Sequence, residues 1–181
     1  MSGQDFLLRS GQVKHLDPTK RAWIDKKSKL HHKTPENEMI SMEEVNKTCH
    51  QIHKSQVLSS PDNQILLGYS QGGALALEFA LSYFPQQYNR KIEKLILISS
   101  FRNHDCHLWN KLEILKKRNL LPNKILICHG GKDKMVPKSW AVDSYNNLKK
   151  YVDDTTFLLD KNGKHEPGKA VLQKTLDFMD S

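Results

Sequence analysis

The sequence predicts an α/β fold in which helices cover both faces of one mostly parallel sheet. Four short runs of the chain are apolar throughout, which is typical of parallel strands buried on both sides. Segments with apolar residues at helical spacing alternate with these runs, as the connections of a parallel sheet require. The length of 181 residues, 38% of them hydrophobic, suits one domain with a sizeable core.

The beginning of the chain carries little secondary-structure signal. Residues 1–37 are polar and basic, so we predict an irregular segment there, followed by a folded core over 38–181 within one domain spanning 1–181. The opening letters MSGQDFLLRSGQ lack the basic-then-apolar plan of a secretory signal. No stretch reaches the roughly 18 consecutive apolar residues of a membrane span, and we expect a cytoplasmic protein.

The first helix is predicted between Ser41 and about Lys54. Ser41 and Glu44 have the spacing of a capping box, in which each side chain satisfies a backbone amide at the helix start. Apolar residues then recur every three or four positions, at Met42, Val45, Cys49 and Ile52. The turn-forming letters Pro61-Asp62-Asn63 end the loop that follows.

The letters GYSQGG, residues 68–73, join the first strand to the next helix. The strand begins at Ile65, and the apolar pattern after residue 73 predicts a helix that stops near Phe84-Pro85. A Gly-x-Ser-x-Gly between strand and helix is typical of a nucleophile elbow, in which small residues let the two elements approach. Ser70 is therefore the candidate nucleophile.

The remaining elements alternate strictly between strand and helix. The apolar runs predict strands, and the three-to-four spacing of apolar residues predicts helices. The predicted strands are 94–100, 124–129 and 156–159, and the predicted helices are 108–118, 139–150 and 168–179.

The charge and the cysteines narrow the possible partners. The net charge of +8 is spread over small clusters with no aromatic-interleaved basic stripe, so we predict no nucleic-acid partner. The charge still allows transient contact with an anionic membrane surface. Cys49, Cys106 and Cys128 are odd in number and widely spaced, which indicates free thiols and neither a disulfide frame nor a zinc site.

Three residues at strand ends form a candidate catalytic triad. Functional groups of a doubly wound sheet gather at the carboxyl ends of its strands, where Ser70, Asp133 and His165 fall. A serine hydroxyl needs a base, and a histidine can take and return a proton near neutral pH. A buried carboxylate would orient that histidine. The chain order Ser, Asp, His is that of α/β-hydrolases.

Other residues compete for these roles. His129 could be the base, although it would then precede the acid along the chain, and Asp160 could be the acid. The possible metal ligands lie at spacings that fit no familiar zinc pattern, so no metal or cofactor is predicted. They are His104, Cys106 and His107, together with His31-His32.

Three stretches resemble one family of enzymes. GYSQGGALALEFAL, ILICHGGKDKMVPKSW and KNGKHEP are similar to the motifs of the acyl-protein thioesterase, lysophospholipase and carboxylesterase family, over about residues 60–180. The stretch Lys138-Ser139-Trp140-Ala141 looks most like the lysophospholipase-like protein 1 branch. The letters Trp23-Ile24-Asp25 echo a further family element.

The resemblance implies an α/β-hydrolase fold and a reaction. Members hydrolyse oxygen esters and thioesters of acyl chains, so the substrates would be acylated proteins, lysophospholipids or small esters. By this likeness Ser70 would be acylated, His165 would activate it, Asp133 would orient His165, and the backbone N–H of Gln71 would contribute to the oxyanion hole. No cofactor is implied.

One family element has no counterpart before Ser70. Members begin with a strand and a His-Gly-x-Gly-Asp loop that supplies the second oxyanion donor, so we expect a fold truncated at its N-terminus. Losing one such donor typically lowers turnover by about a hundredfold to a thousandfold. The alternative to an active serine hydrolase is therefore a catalytically weak relative that binds an acyl chain or a partner.

Overall fold

The computed structural model describes residues 12–14, 17–22, 46–51, 64–102 and 108–181. Two of its strands form a small antiparallel pair, and the other four form the main sheet. The elements in chain order are β1 (Gln12–Lys14), β2 (Asp17–Ala22), α1 (46–51), β3 (Ile65–Tyr69), α2 (Gln71–Glu78), a π-helix (Phe79–Tyr83), α3 (Phe84–Tyr88), β4 (Lys94–Ile98), α4 (Leu108–Lys117), β5 (Lys124–Gly130), α5 (Lys138–Lys149), β6 (Thr155–Asp160) and α6 (Lys169–Asp180).

The main sheet has the order β3-β4-β5-β6, and every neighbouring pair is parallel. Its register brings the carboxyl ends level, since Tyr69 lies opposite Ile98, Ile98 opposite Cys128, and Cys128 opposite Leu158. The loops that follow β3, β5 and β6 therefore meet at one edge of the sheet. The four-stranded parallel sheet confirms the predicted α/β class.

Side chains of alternate positions in β4 and β5 bury the two faces of the sheet. One set packs against α2, the π-helix, α3, α4 and α5, and it consists of Leu95, Leu97, Ile125 and Ile127. The other set packs against Val171 and Phe178 of α6, and it consists of Ile96, Ile98, Leu126 and Cys128. Helices thus cover both faces, and full burial of each leucine or isoleucine contributes about 1.5–3 kcal/mol. Among the described helices, none is long and apolar enough to cross a membrane.

The helix after the elbow runs farther than its sequence suggests. It was predicted to stop near Phe84-Pro85, but the helical run continues through the π-helix and α3 to Tyr88. In the π-helix the amide of Phe84 bonds the carbonyl of Phe79, and Pro85 falls in the first turn of α3, where its missing N–H is tolerated. The run ends at Asn89, which takes the left-handed conformation with φ 51°.

The segment predicted to be irregular contains strands. Within residues 1–37, β1 and β2 pair in antiparallel fashion, with Val13 opposite Arg21. The letters DPTKRA of β2 lack the apolar alternation on which strand prediction depends, so no local pattern indicates this pair of strands. Of the helix predicted up to Lys54, residues 46–51 are helical and the rest lies outside the described residues.

Candidate active site

Ser70 occupies the sharp turn between β3 and α2. Its φ of 52° and ψ of −123° lie in a region that residues other than glycine rarely adopt. The amide of Ser70 donates a hydrogen bond to the carbonyl of Ile98 in β4, at 2.9 Å. Because α2 begins at the next residue, Gln71, the hydroxyl lies at a helix N-terminus, whose dipole favours developing negative charge.

Glycines make this turn possible. A Cβ added at Gly68 would overlap the backbone of Gly72 and Gly73, and one added at Gly73 would overlap the side chain of Ser100. The strand and the helix therefore approach so closely that side chains at positions 68 and 73 do not fit. The close approach expected of an elbow is thus found at Gly68, the first glycine of the Gly-x-Ser-x-Gly pattern, and at Gly73, directly after the pattern.

We expect Gly68→Ala to destabilise the fold by about 1–3 kcal/mol, because the added methyl group meets backbone that cannot rotate away. The free energy of unfolding, measured by urea titration, checks this. Gly168→Ala is the matched control, since the nearest atom to its Cβ would be Asp160 Oδ2 at 3.2 Å, on a side chain that can adjust. A loss of less than about 1 kcal/mol is expected for the control. Equal losses in both variants would contradict the steric argument.

Asp133 lies in the loop between β5 and α5, with its side chain buried. Its Oδ1 accepts hydrogen bonds from the amides of Met135, at 2.7 Å, and Val136, at 3.0 Å, and its side chain is 0% exposed. Burial acts to raise the pKa of the carboxyl group, but the hydrogen bonds from Val136, His165 and Met135 outweigh it and hold the pKa below its ordinary value of 3.8. Asp133 is thus a carboxylate at neutral pH.

His165 lies in the loop between β6 and α6 and contacts both other candidates. Its Nδ1 is 2.8 Å from Asp133 Oδ2, and its Nε2 is 3.0 Å from Ser70 Oγ. With the proton on Nδ1, the tautomer that a carboxylate partner favours, Nε2 accepts the hydrogen bond of the Ser70 hydroxyl. The Tyr69 ring packs beside the imidazole, with ring centroids 5.2 Å apart. The structure therefore brings together all three side chains singled out from the sequence.

The loop that carries His165 is pressed against the end of β5. A Cβ on Gly130 would overlap the carbonyl of Lys164, so this contact requires glycine. The amide of Lys132 donates to the carbonyl of Gly163, at 2.8 Å, which ties the two loops together. The amide of Gly163 in turn donates to Asp160 Oδ1, at 3.0 Å. These bonds fix the relative position of the loops that hold Asp133 and His165.

The competing residues have other contacts. His129, considered as a base, is buried in β5, where its Nε2 donates to the carbonyl of Val136, at 3.1 Å, and lies 3.7 Å from Asp133 Oδ2. Asp160, considered as the acid, accepts amides of its own loop. Among the described residues no cluster could hold a metal ion. The remaining alternatives lie outside the described residues, namely His31-His32, His104, Cys106 and His107.

His129 gives the fold a pH-dependent stability. Burial lowers its pKa from the ordinary value of 6.5, so the unfolded chain binds a proton more readily than the folded protein. The stabilising effect is therefore complete above pH 6.5 and is lost as the pH falls from 6.5 toward the folded pKa. We expect a slope of up to about 1.4 kcal/mol per pH unit in this window.

Urea titrations of the wild type and His129→Gln between pH 5 and 8 measure this contribution. The glutamine amide can still donate to the carbonyl of Val136 but does not titrate, so the difference between the two proteins isolates His129 from the other histidines. We expect the wild type to lose more stability than the variant below about pH 6.5. Parallel pH profiles would contradict a buried neutral imidazole.

One further residue of the site, Gln71, was predicted from the sequence, and another, Ser99, was not. Gln71 is the first residue of α2, and its backbone N–H stays the predicted oxyanion donor. Ser99 was missed, although its hydroxyl donates to the carbonyl of His165 at 2.7 Å. The available signal was a hydroxyl residue directly after β4, at the same sheet edge as the other candidates.

The chain matches one protein family and is similar in fold to several solved structures. The family described as phospholipase/carboxylesterase matches residues 10–181. The fold is similar to esterase PE8 (TM-score 0.68, 16% identity, 94% of this chain and 75% of that chain covered). It is also similar to acyl-protein thioesterase 2 of Zea mays (TM-score 0.70, 18% identity, 88% of this chain and 71% of that chain covered). A further similar structure is SOBER1 of Arabidopsis thaliana (TM-score 0.59, 20% identity, 78% of this chain and 66% of that chain covered). At these identities the solved structures bear on the fold alone. The search of curated proteins found no match.

Proposed function

The chain belongs to the phospholipase/carboxylesterase family, and we propose that it is a serine hydrolase of acyl esters and thioesters. Ser70 is the proposed nucleophile, His165 the general base and Asp133 the group that orients it. The observation that carries the proposal is the continuous hydrogen-bond chain from the Asp133 carboxylate through the imidazole to the Ser70 hydroxyl, with distances of 2.8 and 3.0 Å.

In the acylation step, Ser70 Oγ attacks the carbonyl carbon of the substrate while its proton moves to His165 Nε2. The carboxylate of Asp133 stabilises the imidazolium that forms. The oxyanion of the tetrahedral intermediate accepts a hydrogen bond from the amide of Gln71 at the start of α2. Collapse of the intermediate expels the alcohol or thiol, which takes the proton from His165, and leaves an acyl ester on Ser70.

In the deacylation step, water attacks the same carbonyl carbon. His165 takes one proton of the water and later returns it to Ser70 Oγ, so the carboxylic acid is released and the enzyme is regenerated. Burial of the Asp133 side chain supports this cycle because water cannot compete for its oxygens. No cofactor is needed for either step.

We propose acyl chains on protein cysteines, lysophospholipids and small carboxylic esters as the substrate class. The family description and the fold shared with an esterase and an acyl-protein thioesterase support this range. The net charge of +8 supports transient contact with an anionic membrane, where such acyl substrates are concentrated. Vesicle co-sedimentation with anionic and neutral lipids tests this last point.

Pre-steady-state hydrolysis of a p-nitrophenyl ester tests the proposed reaction. A covalent acyl-enzyme predicts an initial burst of p-nitrophenolate that approaches one equivalent of protein when deacylation is slow. A palmitoyl thioester measured in parallel distinguishes thioesterase activity from simple esterase activity. If the protein hydrolyses neither substrate faster than buffer alone does, the proposal is overturned.

The second candidate function is an acyl-chain-binding module with weak catalysis. Two large hydrophobic side chains of β3, the strand that leads to Ser70, favour it, since Leu67 is 46% exposed and Tyr69 is 39% exposed. Saturable binding of a fluorescent fatty acid without ester turnover would support this candidate, whereas turnover would support the hydrolase.

A further inference from the structure

We propose that Ser99 is a positioning residue that holds His165 in reach of Ser70, an inference that rests on the proposed function. Ser99 directly follows β4 and is 2% exposed. Its hydroxyl donates to the backbone carbonyl of His165 at 2.7 Å, the usual distance for an O–H···O hydrogen bond. This bond joins the end of β4 to the loop that carries the base.

The end of β4 contacts both members of the proton-transfer pair. The carbonyl of Ile98 accepts the amide of Ser70 at 2.9 Å, and the next residue, Ser99, donates to the carbonyl of His165. The amide of Ser99 is itself fixed by the carbonyl of Cys128 in β5, at 2.8 Å. Two consecutive residues of one buried strand end therefore set the separation of nucleophile and base.

Among the described residues, few hydrogen bonds hold the segment that carries the His165 ring. Within the part of the chain that the structure describes, residues 164–167 take part in three hydrogen bonds, and each of the three involves His165. Two are made by the ring, which must move protons during the reaction, and the third is the backbone bond from Ser99. Lys132 holds the loop at Gly163, and the Ser99 bond holds it at His165 itself without taking part in proton transfer.

The backbone of Ser99 is held in a conformation that favours glycine. Its φ is 46°, in the left-handed region that a residue with a Cβ rarely adopts. Glycine would relieve this strain, but it would also remove the hydroxyl that reaches His165. A strained residue with a specific contact at a functional site points to a role for that contact.

Substitutions at Ser99 separate this role from stability. Ser99→Gly relieves the strain and removes the hydroxyl, so we expect an equal or higher Tm with kcat lowered about tenfold or more and KM little changed. Ser99→Thr keeps the hydroxyl but adds a branched Cβ at positive φ, so we expect a lower Tm with kcat near that of the wild type. A residue that only stabilises the fold would change Tm and kcat in the same direction in both variants.

Asn119→Gly is the matched control, because Asn119 also has a positive φ, of 55°, but lies in the turn after α4. We expect its kcat to equal that of the wild type. If wild-type protein turns over the p-nitrophenyl ester and Ser99→Gly is equally fast, the role of Ser99 is overturned while the proposed hydrolase stands.

An NMR measurement tests the role of Ser99 even if the protein hydrolyses no ester. Lack of hydrolysis would overturn the proposed hydrolase but not the proposed role of Ser99. The proton shared by His165 Nδ1 and Asp133 should give a low-field NMR resonance in the wild type, assigned by its loss in Asp133→Ala. We expect Ser99→Gly to shift or broaden this resonance and Ser99→Thr to preserve it. An unchanged resonance in Ser99→Gly would show that the hydroxyl does not position the imidazole.

Discussion

Ser70→Ala is expected to lower kcat for ester hydrolysis by on the order of 10⁴-fold or more, because no acyl-enzyme can form without the hydroxyl. The hydrogen bond between Ser70 Oγ and His165 Nε2, at 3.0 Å, is lost with it. Steady-state hydrolysis of a p-nitrophenyl ester measures the change. KM is expected to change little, since the methyl group of alanine keeps the shape of the elbow.

The control for this variant is Ser82→Ala. Ser82 lies in the π-helix of the same helical run, where its hydroxyl accepts a hydrogen bond from Lys111 at 3.0 Å. Loss of that bond leaves the site unchanged, so wild-type kcat is expected. Residual activity of Ser70→Ala within tenfold of the wild type would mean that another group is the nucleophile.

Asp133→Asn is expected to lower kcat by on the order of 10⁴-fold, the loss typical of a triad with the wrong histidine tautomer. The amides of Met135 and Val136 require an acceptor at Oδ1, so the asparagine carbonyl would occupy that place. Its NH₂ group would then face His165 Nδ1 and donate to it. The imidazole proton would move to Nε2, which could no longer accept the proton of Ser70.

Asp160→Asn is the matched control for this charge removal. Asp160 Oδ1 accepts the amides of Asn162 and Gly163, and an asparagine carbonyl can replace it without donating to an imidazole. We expect kcat within a few-fold of the wild type. A larger loss in Asp160→Asn than in Asp133→Asn, with both variants folded by circular dichroism, would reverse the assignment of the acid.

The positions of the candidate residues along the sheet could be predicted from the sequence. The segments that begin at Ile65, Lys94 and Lys124 are strands β3, β4 and β5, as their apolar runs predicted. Once the strands are parallel, residues that follow them must gather at one edge, so the proximity of Ser70 and Asp133 follows from topology. Their roles in catalysis stay predictions until the variants are measured.

Contacts that depend on tertiary structure could not be predicted. The helical run continues beyond Pro85 to Tyr88 because a π-helical turn precedes the proline, and no local sequence pattern predicts such a turn. The amides of Met135 and Val136 that hold Asp133 belong to a loop whose conformation the sequence does not specify. The bond from Ser99 to His165 joins residues 66 positions apart in the chain, and only the folded sheet edge brings them together.

Covalent labelling by a fluorophosphonate probe tests directly whether Ser70 is an activated nucleophile. An activated Ser70 Oγ would displace fluoride and form a bond to phosphorus, and tandem mass spectrometry of the digested protein locates the adduct. We predict one probe per chain, on Ser70, with the label absent from Ser70→Ala and strongly slowed in Asp133→Asn. A folded wild-type protein that stays unlabelled at Ser70, under conditions that label an active esterase, would show that Ser70 is not an activated nucleophile.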